Sequence, residues 1–170
     1  MTMLAGLAGC GPGPNQFAPA CPGAALLPQA SDVSHYRPSA QGGGHDLTDL
    51  VLQTRITAIN GQCEPGKDAH TLNATVKVTI EVTRGPAAIG RVADVAYFVA
   101  VSDGDRILDK HVFSDRVAFP ASVDRVYLTS DPVTMWLPVS ANKSGAAYTV
   151  WAGFQLTPAE MSQAQAPQQH

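Results

Sequence analysis

The residues in this chain best equipped for chemistry are five histidines, three cysteines and two tryptophans. His35, His45, His70, His111 and His170 are scattered. No two stand three to five residues apart, the spacing that brings paired imidazoles onto one metal in a helix or finger. His45, in a glycine-rich stretch, and His70 each precede a long strand-like segment, so they are the pair to test for a shared ligand or metal. Ser140-Ala141-Asn142-Lys143 has S-x-x-K spacing and Lys143-Ser144-Gly145 is like K-T-G, but the two overlap in one loop, and the enzymes that use them hold them far apart. No nucleophile elbow, phosphate-binding loop or dinucleotide fingerprint occurs. Asp46, Asp49, Asp103 and Asp105 do not follow the spacing of a calcium loop. Trp136 and Trp151 sit among alternating strand residues, so core packing is expected of them, with a stacking platform for a small ligand as the alternative. No nucleophile, base or metal set is assembled, and the chain reads as non-catalytic and without a cofactor.

The odd number of cysteines needs its own account. The chain opens Met1-Thr2-Met3-Leu4-Ala5-Gly6-Leu7-Ala8-Gly9-Cys10, and Leu7-Ala8-Gly9-Cys10 resembles a bacterial lipobox. That resemblance implies diacylglycerol on the Cys10 sulfur and cleavage just before it. Residues 1–10 are then the remnant of a signal peptide, and the chain is tied to a membrane through Cys10. The run is far shorter than the roughly 20 apolar residues that span a bilayer. It holds no basic residue, the first being Arg37, so a signal of ordinary form begins upstream of Met1; an apolar terminus with a chance cysteine is the alternative. No Asp follows Cys10, which favours the outer over the inner membrane. If Cys10 carries lipid, Cys21 and Cys63 remain, and in an exported chain such a pair is most simply a disulfide. It would close a loop of about 43 residues, worth on the order of 4 kcal/mol in loop-closure entropy. Two unpaired buried thiols in a cytosolic protein are the alternative.

The elements that must position these residues are strands. Residues 11–45 read as a Gly, Pro and Ala-rich tether and loop, with a short edge strand at Ala24-Ala25-Leu26-Leu27 and a loop from Ser31 to Asp46. From Leu50 the chain alternates with period two, and from Leu72 to Thr83 it alternates without error. Val92 to Val101 is nearly continuous in apolar residues, as for a central strand covered on both faces. Asp103-Gly104 then signals a hairpin returning over Arg106 to Phe113. Val117 to Pro120, Asp124 to Thr129, Val133 to Leu137 and Ala147 to Leu156 are further short strands. The fold class expected is all-β, an antiparallel β-sandwich of about seven strands with immunoglobulin or fibronectin III shape, over residues 46–158. Residues 159–170 form a low-complexity tail, a frayed helical turn or disorder.

The balance of 11 Lys plus Arg against 14 Asp plus Glu, net −3, gives no electrostatic footprint for nucleic acid. Cys21-Pro22, Gly43-Gly44-His45-Asp46-Leu47-Thr48-Asp49, Gly61-Gln62-Cys63 and Gly153-Phe154-Gln155-Leu156-Thr157-Pro158 are together similar to an uncharacterised family of small proteobacterial envelope lipoproteins. The resemblance spans most of Cys21 to Glu160. It implies an envelope location and a paired Cys21 and Cys63, and it carries no activity. The function expected is a lipid-anchored periplasmic binding or scaffolding module of the bacterial cell envelope, engaging an envelope protein partner through a sheet edge or end loops. The alternative is a small-ligand or metal carrier or sensor using His45, His70, Trp136 or Trp151.

Overall fold

A computed structural model describes residues 20–38 and 46–165 of the chain. Cys10, His45 and His170 lie outside the described residues. Within them the chain builds an all-β sandwich from β1 (Gly23–Leu26), β2 (Asp32–Tyr36), β3 (Leu50–Pro65), β4 (Thr71–Arg84), β5 (Val92–Asp103), β6 (Arg106–Ala118), β7 (Arg125–Thr129), β8 (Val133–Pro138) and β9 (Tyr148–Phe154), followed by helix α1 (Pro158–Gln165). One sheet has the order β1-β9-β5-β6. The other runs β2-β3-β4, with β7 and β8 following each other along the far edge of β4.

The alternation of β4 is the clearest link from sequence to core. Leu72, Ala74, Val76, Val78, Ile80 and Val82 are at most 5% exposed, and each Val, Leu or Ile so buried contributes about 1.5–3 kcal/mol. Val95, Val99 and Val101 of β5 and Val150, Ala152 and Phe154 of β9 face them from the first sheet. Where β4 passes from its pairing with β7 to that with β8, Ser130 fills the gap. Its backbone N–H donates to the Val78 carbonyl at 2.9 Å, and its hydroxyl accepts from the Val78 N–H at 3.0 Å. Both polar groups of a residue with no exposure are thereby satisfied.

Nine strands stand where about seven were expected, and the differences have local causes. The segment expected as loop from Ser31 to Asp46 contains β2, so the sandwich begins well before Asp46. Only Val33 of β2 is buried, which hides the strand from a hydrophobicity pattern. Its pairing with β3 is reinforced by Asp32, whose carboxylate lies 2.7 Å from Arg55. The expected edge strand at Ala24 is β1, but it runs parallel to β9, so the first sheet is mixed. The expected break after Phe113 is absent: β6 continues through Ser114-Asp115-Arg116 because the inward-facing Asp115 accepts a hydrogen bond from the buried Tyr97 hydroxyl at 2.7 Å. The tail opens as α1, with Thr157 and Glu160 bonding reciprocally around Pro158 in a capping box.

β3 carries an irregularity of consequence. The pairing with β4 slips at Thr57, so that Ile56 stands opposite Ile80 but Ala58 opposite Thr79. This bulge reverses the phase of the strand. Before it Leu52, Thr54 and Ile56 face the core, and after it Ile59, Gly61 and Cys63 take that side, opposite Val78, Val76 and Ala74. Cys63 thus faces inward and forms a disulfide with Cys21 across a Cα–Cα distance of 5.7 Å, within the usual span of such bridges. Just before it, the Ala20 carbonyl lies where a side chain on residue 145 would project, so Gly145 is needed for the chain to enter there.

Replacing Cys21 and Cys63 together by alanine is expected to lower the unfolding free energy by about 2–4 kcal/mol; an unchanged urea midpoint would show that the bridge adds no stability. Ser130→Ala, which strands the buried Val78 N–H, is expected to cost about 1–3 kcal/mol in the same measurement.

Candidate functional site

The outer face of the second sheet is polar, as β4 shows with Asn73, Thr75, Lys77, Thr79, Glu81 and Thr83. That of the first sheet is not. On β5 the residues pointing outward include Phe98 at 9% exposure, Ala100 at 2% and Ser102 at 4%. What covers them is sparse: Leu27, the 3-10 turn Pro28–Ala30 between β1 and β2, and the start of α1. Between these covers and β6 lies a groove of about 620 Å³, within the size range of small-molecule sites.

Three cross-strand rows form its floor. Ala100 stands between Lys110 of β6 and Trp151 of β9, and its methyl group leaves a trough between two large side chains. In the next row Phe98 lies between Val112 and Gly153, and a Cβ on residue 153 would collide with the Phe98 ring at 2.9 Å. Glycine there leaves room for the ring and for the Ala30 methyl, which a Cβ on residue 153 would approach to 3.3 Å. In the third row Ser102 stands between Ile107 and Thr149. A bulge at Leu108 puts Ile107 on the groove side together with Lys110.

The polar atoms of the groove are held in place. Trp151 Nε1 donates to the Ser102 hydroxyl at 2.9 Å, fixing the indole along the floor. The Lys110 ammonium lies 4.4 Å from the centre of the Phe98 ring and donates to Gln155 Oε1 at 3.3 Å. On the α1 side, Met161 forms the wall. Glu160 ties that helix to β2, its Oε1 lying 2.6 Å from His35 Nδ1. Burial raises the Glu160 carboxyl, but the hydrogen bonds from Thr157 and the His35 contact outweigh it, so the group titrates below its usual range.

The residues singled out in the sequence do not converge. Trp151 lines the groove, but Trp136 sits on the outer face of the opposite sheet and is 69% exposed. Neither packs in the core, because Val133, Met135 and Leu137 take the inward positions of β8, and Tyr148, Val150 and Ala152 those of β9. His70 is exposed in the β3–β4 turn and does not line the groove; its expected companion His45 lies outside the described residues. Ser140 and Lys143 bridge one short loop, where the Lys143 ammonium is engaged by the Asp103 carboxylate. Among the described residues no three His, Cys, Asp or Glu gather closely enough to hold a metal, and no helix is long and apolar enough to cross a membrane. Phe98, Ala100 and Lys110 were not anticipated as site residues. The signal for Phe98 and Ala100 was the continuous apolar run of β5, which demands cover on both faces; nothing in the sequence marked Lys110 of β6.

Comparison with protein-family models, curated proteins and solved structures finds no match.

At the hairpin end of the groove Asp103 pairs with Lys143 and lies 3.5 Å from Arg106. The Lys143 hydrogen bond, opposed by desolvation and supported by the Arg106 charge, lowers the Asp103 carboxyl below its ordinary value. A depressed acid stabilises the fold above its unfolded pKa of about 3.9, and that contribution disappears as pH falls through the folded value. Asp103→Asn is thus expected to lower the melting temperature at neutral pH, with the gap to the parent closing on acidification below about pH 4. A gap independent of pH would assign its effect to packing.

Proposed function

We propose that the chain is a non-catalytic binding module of the bacterial cell envelope, lipid-anchored through Cys10 on the outer membrane and facing the periplasm, which engages an envelope protein partner along the free edge of β6. The Cys21–Cys63 disulfide supports the extracytoplasmic address, since structural disulfides persist in oxidising compartments and are rare in the cytosol.

The observation that carries the partner reading is the length of that edge. β6 is 13 residues long with, among the described residues, only β5 beside it, whereas the edge strands β1, β2, β7 and β8 have four to six residues. Ile107, Leu108 and Val112 are 63%, 37% and 55% exposed along it. A long edge strand with exposed apolar side chains among its charged ones offers main-chain hydrogen bonds and side-chain contacts to an incoming strand, the mode of β-augmentation. A second reading, a small-ligand carrier, is favoured by the groove around Trp151.

A photo-crosslinking side chain at Val112, in the full chain expressed in the envelope, is expected to trap a discrete protein adduct. The same group at Ile89, 98% exposed on the β4–β5 loop, is expected to trap none. Equal patterns from the two positions, or no adduct from Val112, would remove the edge reading. Cys10→Ser is expected to release the chain from the membrane fraction, and retention there would remove the anchor.

A further inference from the structure

The groove has a direction. Lys110 and Gln155 mark one end, where Gln155 donates its backbone N–H to Ala96, and Asp105 borders the other end at the hairpin tip. Between them the surface is apolar, formed by Phe98, Ala100, Trp151, Leu27, Ile107 and Met161. The Lys110 ammonium has no carboxylate partner among the described residues. It rests on the face of Phe98 and on a neutral amide. A cation–π contact at an exposed site is worth about 0.5–1 kcal/mol, so a carboxylate offered at this place competes readily for the ammonium. Lys110 is exposed, so the pair forms at the groove mouth, where neither charge has to be stripped of water.

We propose that this groove binds an amphipathic monocarboxylate, an extended apolar acid whose body lies on Ala100 between Trp151 and Ile107 and whose carboxylate pairs with Lys110, directed away from Asp105. Charge complementarity selects the occupant: an apolar trough with a cation lacking a counter-charge among the described residues at one end and an anion at the other accepts a molecule of opposite polarity. The inference rests on the small-ligand reading and adds the chemistry of the head group to it.

The test uses the full chain carrying Trp136→Phe, which leaves Trp151 as the sole indole, titrated with decanoate and with decanol below their aggregation limits. Both are expected to change Trp151 emission saturably. Lys110→Gln is expected to weaken decanoate about three- to fivefold and decanol less than about twofold, with Lys110→Arg restoring most of the decanoate affinity. If both ligands bind and Lys110→Gln shifts them equally or not at all, the carboxylate assignment is overturned and the groove reading stands. If neither gives a saturable change, both fall. A dimer in sedimentation that shields Trp151 from acrylamide at matching concentrations would also overturn the proposal, assigning the face to a second copy of the chain.

Discussion

The bridge between Cys21 and Cys63 decides where the N-terminal segment joins the sandwich, and much of the remaining structure follows from that anchorage. Cys63 is available for it only because the bulge at Thr57 turns the second half of β3 over, bringing Cys63 to the core side beside Ala74. Were Thr57 paired in regular register instead, Cys63 would stand opposite Asn73 and face outward. Once Cys21 is tied there, the chain crosses to the first sheet as β1, lays Leu27 and the turn Pro28–Ala30 over its outer face, and returns to the second sheet as β2. The segment therefore fastens one sheet to the other on the outside, as the core does on the inside. Its 3-10 turn is also one wall of the groove, so the shape of the candidate site depends on a disulfide and a bulge that contribute no atom to it.

β5 imposes the second constraint. Its inward residues are required by the core, yet its outward residues Phe98, Ala100 and Ser102 are nearly as well buried. A sandwich sheet that turns water-facing positions over to apolar groups needs a third layer, and this fold supplies only a short turn and one end of a helix. Burial of Phe98 contributes about 1.5–3 kcal/mol, against about 0.5–1 for the cation above its ring. The apolar contacts therefore define the groove, while Lys110 is held weakly enough to turn to another partner. Trp151 differs, because its hydrogen bond to Ser102 fixes the indole and makes the floor rigid.

Legibility in the sequence followed the strength of the apolar pattern. β4, β5 and the hairpin at Asp103-Gly104 could be read directly, since their side chains alternate or run apolar up to a turn that needs φ > 0, and Gly104 has φ 58°. β2 could not, because Asp32, Ser34 and His35 are polar and its pairing comes from the backbone and an ion pair. Nor could the bulge at Thr57: Gln53 and Arg55 mark the outward phase before it, but Ile56-Thr57-Ala58-Ile59 is apolar or Thr on both phases, so no residue marks where the strand turns over. The site was half legible. The double-sided burial of β5 announced a covered outer face, but the two tryptophans look alike in sequence. Their separation onto opposite sheets is a matter of topology. Thr157-x-x-Glu160 after a strand was a readable helix start that composition alone obscured.

β6 joins the two functional readings in space. Its free edge is not indiscriminate: Asp109, Lys110 and Arg116 put charges along it, the bulge at Leu108 bends it, and Asp115 points inward against Tyr97, whose phenol is raised by burial and by that carboxylate and so remains a donor. Such features protect an edge from pairing with any strand that passes. An incoming strand would have to match those charges and follow the bend, which confines recognition to a partner of complementary pattern. The same bulge that disciplines the edge turns Ile107 toward the groove beside Lys110. A strand seated on β6 therefore lies against the rim of the cavity, and Lys110 cannot serve an edge carboxylate and a groove carboxylate at once. Were a partner strand and a groove carboxylate both to draw on this one side chain, their occupancies would be coupled through it.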